Sequence, residues 1–496
     1  MRELGRRLLR TKSVEHVLKQ AEDGEHSLRR VLGAFDLTML GVGAIVGAGI
    51  FALVGTAAAG DASRPGAGPA LIVSFVLTGF ACGFSALCYA ELASLIPVAG
   101  SAYTYSYATL GELVAWIIGW DLILEYMVGN VAVAVSWSSY FQNLLEGMGL
   151  HLPVWLAVDV RTAFRTPEIL DAAPRLAGIP IVINLPAAFI CFALTVLLVI
   201  GIRESARFNS AMVVLKLGIL FFFIAAGALY VRPENWEPFA PNGWAGISAG
   251  AAIIFFAYIG FDAVSTAAEE AKDPQRTLPT AIIASLIVCT VVYVLTAAVL
   301  TGMVPWNELG VPDPLAVAFS RIGLDWAALL ISVGAVVATT AVLLVFQMGQ
   351  PRIFFSMARD GLLPAFIARV HPRFRTPHVA TIIVGVVTGV VAAFEGLAEA
   401  ADLTSIGTLF AFVLVCLAVI ILRRRDPERP RGFRTPLVPW VPLAGALSCL
   451  YLMWSLPNSA KWRFVIWLAI GLAFYFAYGY RKSRAGSKPI VPDAPV

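Results

Sequence analysis

Lys216, Asp121 and Glu125 are charged side chains inside stretches that are otherwise apolar, and each is of a type that can hold a proton or pair with a cation or a carbonyl there. Lys216 lies in MVVLKLGILF, residues 212–221, eight residues past the start of its apolar run. At 1.5 Å rise per residue that is roughly 12 Å into a hydrocarbon core of ~30 Å. An ammonium at that depth is costly and by default faces a bundle interior, where it donates charge-assisted hydrogen bonds to carbonyls. The alternative is a lysine whose tail snorkels to the interface, a boundary that Arg207 already marks. Asp121 and Glu125 share another apolar run, and their i, i+4 spacing puts both carboxyls on one helix face. Glu125 is the deeper of the two and the stronger candidate, either for meeting a cation in a cavity or for a structural hydrogen bond to backbone freed by a broken helix.

Other chemistries lack their parts. None of the five histidines (His16, His26, His151, His371, His378) lies in the interior of an apolar run, and neither an HExxH nor a GxxxxGK motif occurs, so no metal, no cofactor and no ATP-driven mechanism is expected, and the chain does not read as an enzyme. The six cysteines (Cys82, Cys88, Cys191, Cys289, Cys416, Cys449) sit in apolar runs without CxxC spacing and read as small buried hydrophobes.

The elements that must position these charges are interrupted helices. GVGAIVGAGIF, residues 41–51, carries four glycines in nine positions, each costing about 1 kcal/mol relative to alanine in a helix interior. A break is expected there. Backbone freed in this way cannot face hydrocarbon, so it must line a cavity or a ligand inside a bundle. FAYIGFD, residues 256–262, is a second such stretch, and broken helices in corresponding halves are the mark of a secondary transporter. The competing reading of the first stretch is close helix packing through GxxxG-like glycines.

With 59% hydrophobic and 14% charged residues over 496 positions, and a mean hydropathy of +0.80, the chain is read as a polytopic membrane protein. The net charge of +4 implies no nucleic-acid partner. Apolar runs near 35–58, 69–96, 114–144, 181–202, 208–231, 246–268, 280–303, 325–349, 378–395, 403–422, 438–456 and 463–480 make about twelve spans, each near the ~20 residues a helix needs to cross. Of the 36 lysines and arginines, 27 fall on the side of both termini, 8 on the other side, and Lys216 between them, which orients both termini to the cytoplasm. No cleavable signal is expected at the start, and residues 1–34 read as a cytoplasmic arm, amphipathic along the membrane surface. Residues 349–364 read as an amphipathic cytoplasmic extension of span eight.

The chain resembles the amino acid-polyamine-organocation superfamily, and most closely its cationic amino acid transporter branch. The likeness is carried by GAIVGAGIF (43–51), ALCYAEL (86–92) leading to PVAGSAYTY (97–105), GWDLILEY (119–126), FFAYIGFD (255–262), AEEAKDPQR (268–276) and the stretch 352–364, and it runs from about Gly33 to Tyr480. It implies an all-α leucine-transporter fold. A first inverted repeat would cover 35–231, a second 245–423, two peripheral spans 438–480, and a cytoplasmic tail 481–496. It further implies that the substrate carboxylate meets amides around Ile45, Gly47, Ala48 and Gly49, in keeping with the partial positive charge at a half-helix N-terminus. The substrate ammonium would meet carbonyls of Phe256, Ala257 and Ile259. Lys216 occupies the place of a sodium ion and would couple protons through carbonyls near Gly43 and Ala44, while Glu125, Asp262 and Phe346 would line the side-chain pocket. Phe346 departs from the smaller residues often found there, which weakens a strict arginine or lysine preference.

The resulting expectation is a proton-coupled symporter of L-amino acids, cationic or small neutral, in the plasma (inner) membrane, with the bilayer, protons and the amino acid as its partners. An amino acid or polyamine antiporter on the same fold and a non-transporting sensor are the alternatives; binding of a small membrane subunit is left open.

Overall fold

The computed structural model describes residues 10–12, 15, 30, 32–98, 100–200, 206–374 and 376–483. The arm expected over 1–34 and the tail expected over 481–496 fall mostly outside them. Almost all regular structure is helical, because an apolar segment in lipid satisfies its backbone within itself only as a helix. Two two-residue antiparallel ribbons are the exceptions, β1 (Gly60–Asp61) with β2 (Arg64–Pro65) and a second pairing Arg175–Leu176 with Ile179–Pro180.

The helices that matter below are α1 (Ala34–Ile45), α2 (Val54–Ala59), α3 (Leu71–Leu95), α4 (Ser101–Thr109), α5 (Glu112–Ile123), α6 (Gly129–Gly147), α7 (Leu185–Ile200), α8 (Ala206–Gly227), α9 (Gly243–Ile254), α10 (Pro274–Met303), α11 (Asp325–Arg359), α12 (His378–Ala392), α13 (Leu397–Arg425), α14 (Trp440–Ser455) and α15 (Asn458–Phe474). Among the described residues eight helical stretches are long and apolar enough to cross a membrane, or nine if the bent pair Ala34–Ile45 and Gly49–Ala59 counts as one. Helices α7, α12 and α14 are apolar but shorter, at 16, 15 and 16 residues. At 1.5 Å per residue they cover about 24 Å or less of a ~30 Å core. The extension of span eight is helical, since α11 runs unbroken to Arg359.

Both expected breaks are present. The first span bends by 43° between α1 and a π-helical turn, Gly49–Leu53, that leads into α2. Helix α9 tightens into a 3-10 turn, Phe255–Tyr258, passes Gly260 at φ +121°, a conformation that strains any residue with a Cβ, and resumes as a 3-10 segment, Asp262–Glu270. The breaks pack on each other. A Cβ on Gly49 would stand 2.3 Å from the Ala257 Cα, and one on Gly260 would stand 2.9 Å from the Ala44 carbonyl carbon. Close packing and interruption, posed as alternatives for the first stretch, are thus one feature: the glycines let two opened backbones touch.

Ion pairs tie the ends of the bundle. Arg64 joins Asp61 (2.6 Å) to Asp402 on α13 (2.7 Å). At the opposite end of α3, Glu91 takes Arg423 through both oxygens (2.8 Å each), the Thr435 amide (2.8 Å) and Arg431 (3.1 Å). Lys12 reaches Asp360, just past α11, at 2.5 Å, and the Tyr103 hydroxyl donates to the same carboxylate at 2.7 Å.

Candidate functional site

Lys216 is wholly buried on α8. Its Nζ donates to the carbonyl of Gly43 (2.5 Å) and to that of Val46 (3.0 Å). These are carbonyls orphaned where α1 stops, since a helix leaves its last four C=O groups without intrahelical partners. A third, that of Ile45, accepts from the Tyr293 hydroxyl of α10 at 3.0 Å. The lysine is therefore bonded to the broken helix and does not snorkel. The Ala44 carbonyl does not accept from it, contrary to expectation: the Ala44 backbone is turned against Gly260 across the seam, and Val46 takes its place.

Past the break, no carbonyl among the described residues accepts from the amides of Gly47, Ala48 or Gly49. Ile45 was expected in that set but is the last residue of α1, so its amide belongs to the helical ladder and only its carbonyl is freed. On the facing stretch the Phe256 carbonyl accepts from the Ile259 amide at 3.4 Å, while those of Ala257 and Ile259 receive no backbone amide among the described residues. Free donors on one broken helix thus lie beside free acceptors on the other, the arrangement a zwitterion can satisfy at both ends.

Glu125 occupies a π-helical turn, Leu124–Val128, between α5 and α6. Such a turn widens the helix by one residue and re-aims its side chains. The carboxyl is 1% exposed and lies against Asp262, with Asp121 one turn away and Thr408 of α13 beside it. None of the six carboxyl oxygens of Asp121, Glu125 and Asp262 has a partner at hydrogen-bonding geometry among the described residues, and neither do the hydroxyls of Tyr89, Tyr105, Tyr126 and Thr408. Aromatic rings wall this layer: Tyr89 packs on Tyr105, Phe261 and Phe412 with centroids 6.3, 5.8 and 5.4 Å apart, and Tyr126 on Phe346 at 5.5 Å. Phe346 fills the space over Gly129, where an added Cβ would stand 3.4 Å from its ring. Three carboxyls in one buried layer cannot all be ionised unless a cation joins them, so the layer calls for protons, water or the positive end of a ligand.

Sequence reasoning missed Val46, whose carbonyl accepts from Lys216, Tyr293, whose hydroxyl donates to the freed Ile45 carbonyl, and Tyr140, whose hydroxyl donates to the Phe51 carbonyl just beyond the break. It also missed the tyrosine hydroxyls around Glu125. The available signal was tyrosine, not phenylalanine, inside apolar spans, since a buried hydroxyl needs a partner.

A bundle of apolar helices with two interrupted spans meeting at its centre makes this a multi-pass integral membrane protein. It belongs to the amino acid permease family, whose model matches residues 32–475. The chain is 48% identical to the branched-chain amino acid permease BcaP of Bacillus subtilis, over 96% of this chain and 98% of that protein. It is 47% identical to the methylthioribose transporter of the same organism, over 96% and 98%. To the vacuolar cationic amino acid transporter 4 of Arabidopsis thaliana it is 40% identical, over 85% and 68%.

Proposed function

We propose that the protein is a secondary active transporter that carries an L-amino acid together with a proton by alternating access. The observation that carries this is Lys216: a buried ammonium holds the freed carbonyls of the first span on one side of a break whose other side offers the unpaired amides of Gly47, Ala48 and Gly49. Protonated, the lysine keeps that half-helix in place and the amides set for a carboxylate. Deprotonated, it loses its charge-assisted bonds, so proton and substrate binding are linked through one two-state element. A fixed cation there disfavours sodium. In this reading the substrate ammonium meets the carbonyls of Ala257 and Ile259, with Phe256 beside them, and the side chain points toward Phe346, Glu125 and Asp262. The aromatic plug at Phe346 favours neutral side chains, in keeping with the name of the branched-chain permease relative.

The bent first span, the long helices and the three shorter ones are read as twelve spans. Residues 35–231 and 245–423 form two inverted repeats, 438–480 are peripheral, both termini are cytoplasmic, and the plasma (inner) membrane is the location. Methylthioribose, named by a second relative, is the competing substrate; it has no ammonium for the free carbonyls of the second break. The test is uptake into vesicles of purified protein, with labelled leucine, alanine, arginine and methylthioribose supplied under a pH gradient or a sodium gradient alone. Concentrative, pH-driven uptake of a neutral amino acid is expected; exchange without accumulation would make the protein an antiporter.

A further inference from the structure

Helices α3 and α10 pack along each other but part on their outer face into a cleft of ≈ 290 Å³, lined by Val76, Gly79, Phe80, Gly83, Ile287 and Val291 among others. Phe80, Ile287 and Val291 are 54–62% exposed, so the cleft opens on the lipid side. Gly83 forms an empty floor, with nothing within 4 Å of an added Cβ. The one hydroxyl in the lining, that of Thr290, is already committed to the Leu286 carbonyl at 2.8 Å. Such a cleft suits a hydrocarbon chain.

Its arginine-rich end is closed by the segment 431–435. The Gly432 backbone rests on Gln275 in the first turn of α10, where an added Cβ would stand 2.6 Å from the Gln275 carbonyl oxygen, and the Thr435 amide is bonded to Glu91 near the end of α3. Glu91 consumes Arg423 and Arg431. Arg276 and Arg434 are left exposed, and no acidic partner is found for either among the described residues. Three and six residues past Arg434, Leu437 and Trp440 are 74% and 72% exposed, the apolar-plus-aromatic surface of a membrane interface and a poor match for a free anion in water. Ile283, at the near end of the cleft, is roughly 10 Å along α10 from Arg276, and Val291 roughly 22 Å, a span within reach of one acyl chain.

We propose that this face binds a single anionic phospholipid, with its phosphate on Arg276 and Arg434 and one acyl chain in the cleft between α3 and α10. The site also touches the machinery, because a Cβ on Gly79 would lie 3.3 Å from the Tyr258 hydroxyl, and Tyr258 belongs to the second break. A chain seated in the cleft is one side chain from the unwound backbone.

Native mass spectrometry of the full-length protein, given an equimolar mixture of phosphatidylglycerol and phosphatidylcholine with identical chains, tests this. The parent should retain phosphatidylglycerol selectively. The pair Arg276→Gln and Arg434→Gln should cut that retention by roughly 30-fold, the share of two arginines at a charged surface. Gly83→Leu, which grows into open space and so should not disturb folding, should also reduce it. Equal retention of the two lipids by the parent overturns the proposal, as does Gly83→Leu with unchanged phosphatidylglycerol binding. Displacement of the lipid by millimolar inorganic phosphate would mark a simple anion site and overturn it too.

Discussion

Adding one methyl group at Gly49 should separate the two broken spans. The new Cβ would stand 2.3 Å from the Ala257 Cα, 2.4 Å from its Cβ and 2.7 Å from its amide nitrogen. Carbon atoms rest at ~3.5–4.0 Å, so the second break must retreat by more than ~1 Å. Overpacking of this kind costs about 1–3 kcal/mol. The obstacle here is main chain that no rotamer can relieve, which places Gly49→Ala near the upper figure, roughly 100-fold in an equilibrium constant. Gly218→Ala is the control: nothing lies within 4 Å of its added Cβ, and alanine is preferred over glycine in a helix by up to ~1 kcal/mol. Thermal unfolding in detergent, paired with equilibrium binding of the transported substrate, separates the two. Gly49→Ala should melt well below the parent and bind at least tenfold more weakly, because the amides beside it move as well; Gly218→Ala should melt at or above the parent and bind normally. Indistinguishable melting and binding in the two variants would refute the claim that the breaks are held by backbone contact.

Phe346→Ser should open the side-chain end and shift competition from leucine toward arginine, and adding Glu125→Gln should remove most of the arginine uptake so gained; an unchanged rank order of competitors counts against both placements. Glu91→Gln removes the anion shared by Arg431 and Arg423, while Arg431 keeps its bonds to the carbonyls of Asp426, Pro427 and Arg429, which places the loss near the lower end of the about 3–5 kcal/mol for one partner of a buried pair, to be read as a fall in the unfolding temperature. Asp61 outside the spans offers a pH test: burial raises its pKa, but the hydrogen bonds and charge of Arg64 outweigh this and leave it below the ordinary carboxylate value. Its contribution is therefore full above the unfolded value of ~3.9 and lost as pH falls through the lower folded one. Asp61→Asn should melt below the parent at neutral pH, and the difference should vanish only below about pH 4.

What the chain discloses about this site follows the cost of each residue in lipid. Lys216 and Glu125 stand out because a charge among apolar neighbours has no cheap explanation, and the glycines at 41–49 because no continuous helix wants them. The finer geometry is hidden because it depends on where a helix stops. Whether Ala44 or Val46 receives the ammonium is decided by which carbonyl faces α8 and which faces Gly260, and both lie within one turn. Ile45 changes from donor to acceptor for the same reason. The π-helical turn at Glu125 leaves no mark in composition. Tyr89, Tyr105, Tyr126 and Tyr293 look like packing residues in a linear reading, and their hydroxyls acquire meaning only when helices distant in sequence bring the first three to the Glu125 layer and Tyr293 to the freed Ile45 carbonyl.

Whether Lys216 couples protons to substrate is decided most directly by comparing the parent with Lys216→Met in vesicles under an inward proton gradient. The neutral side chain keeps most of the volume but leaves the Gly43 and Val46 carbonyls without their charged donor, about 1.5–3 kcal/mol for each bond. The parent should concentrate substrate and stop when the gradient is collapsed, whereas Lys216→Met should fail to concentrate it at any external pH while still exchanging internal for external substrate. A Met variant that accumulates substrate on a pH gradient as the parent does, or a parent driven by sodium and indifferent to pH, would contradict the account.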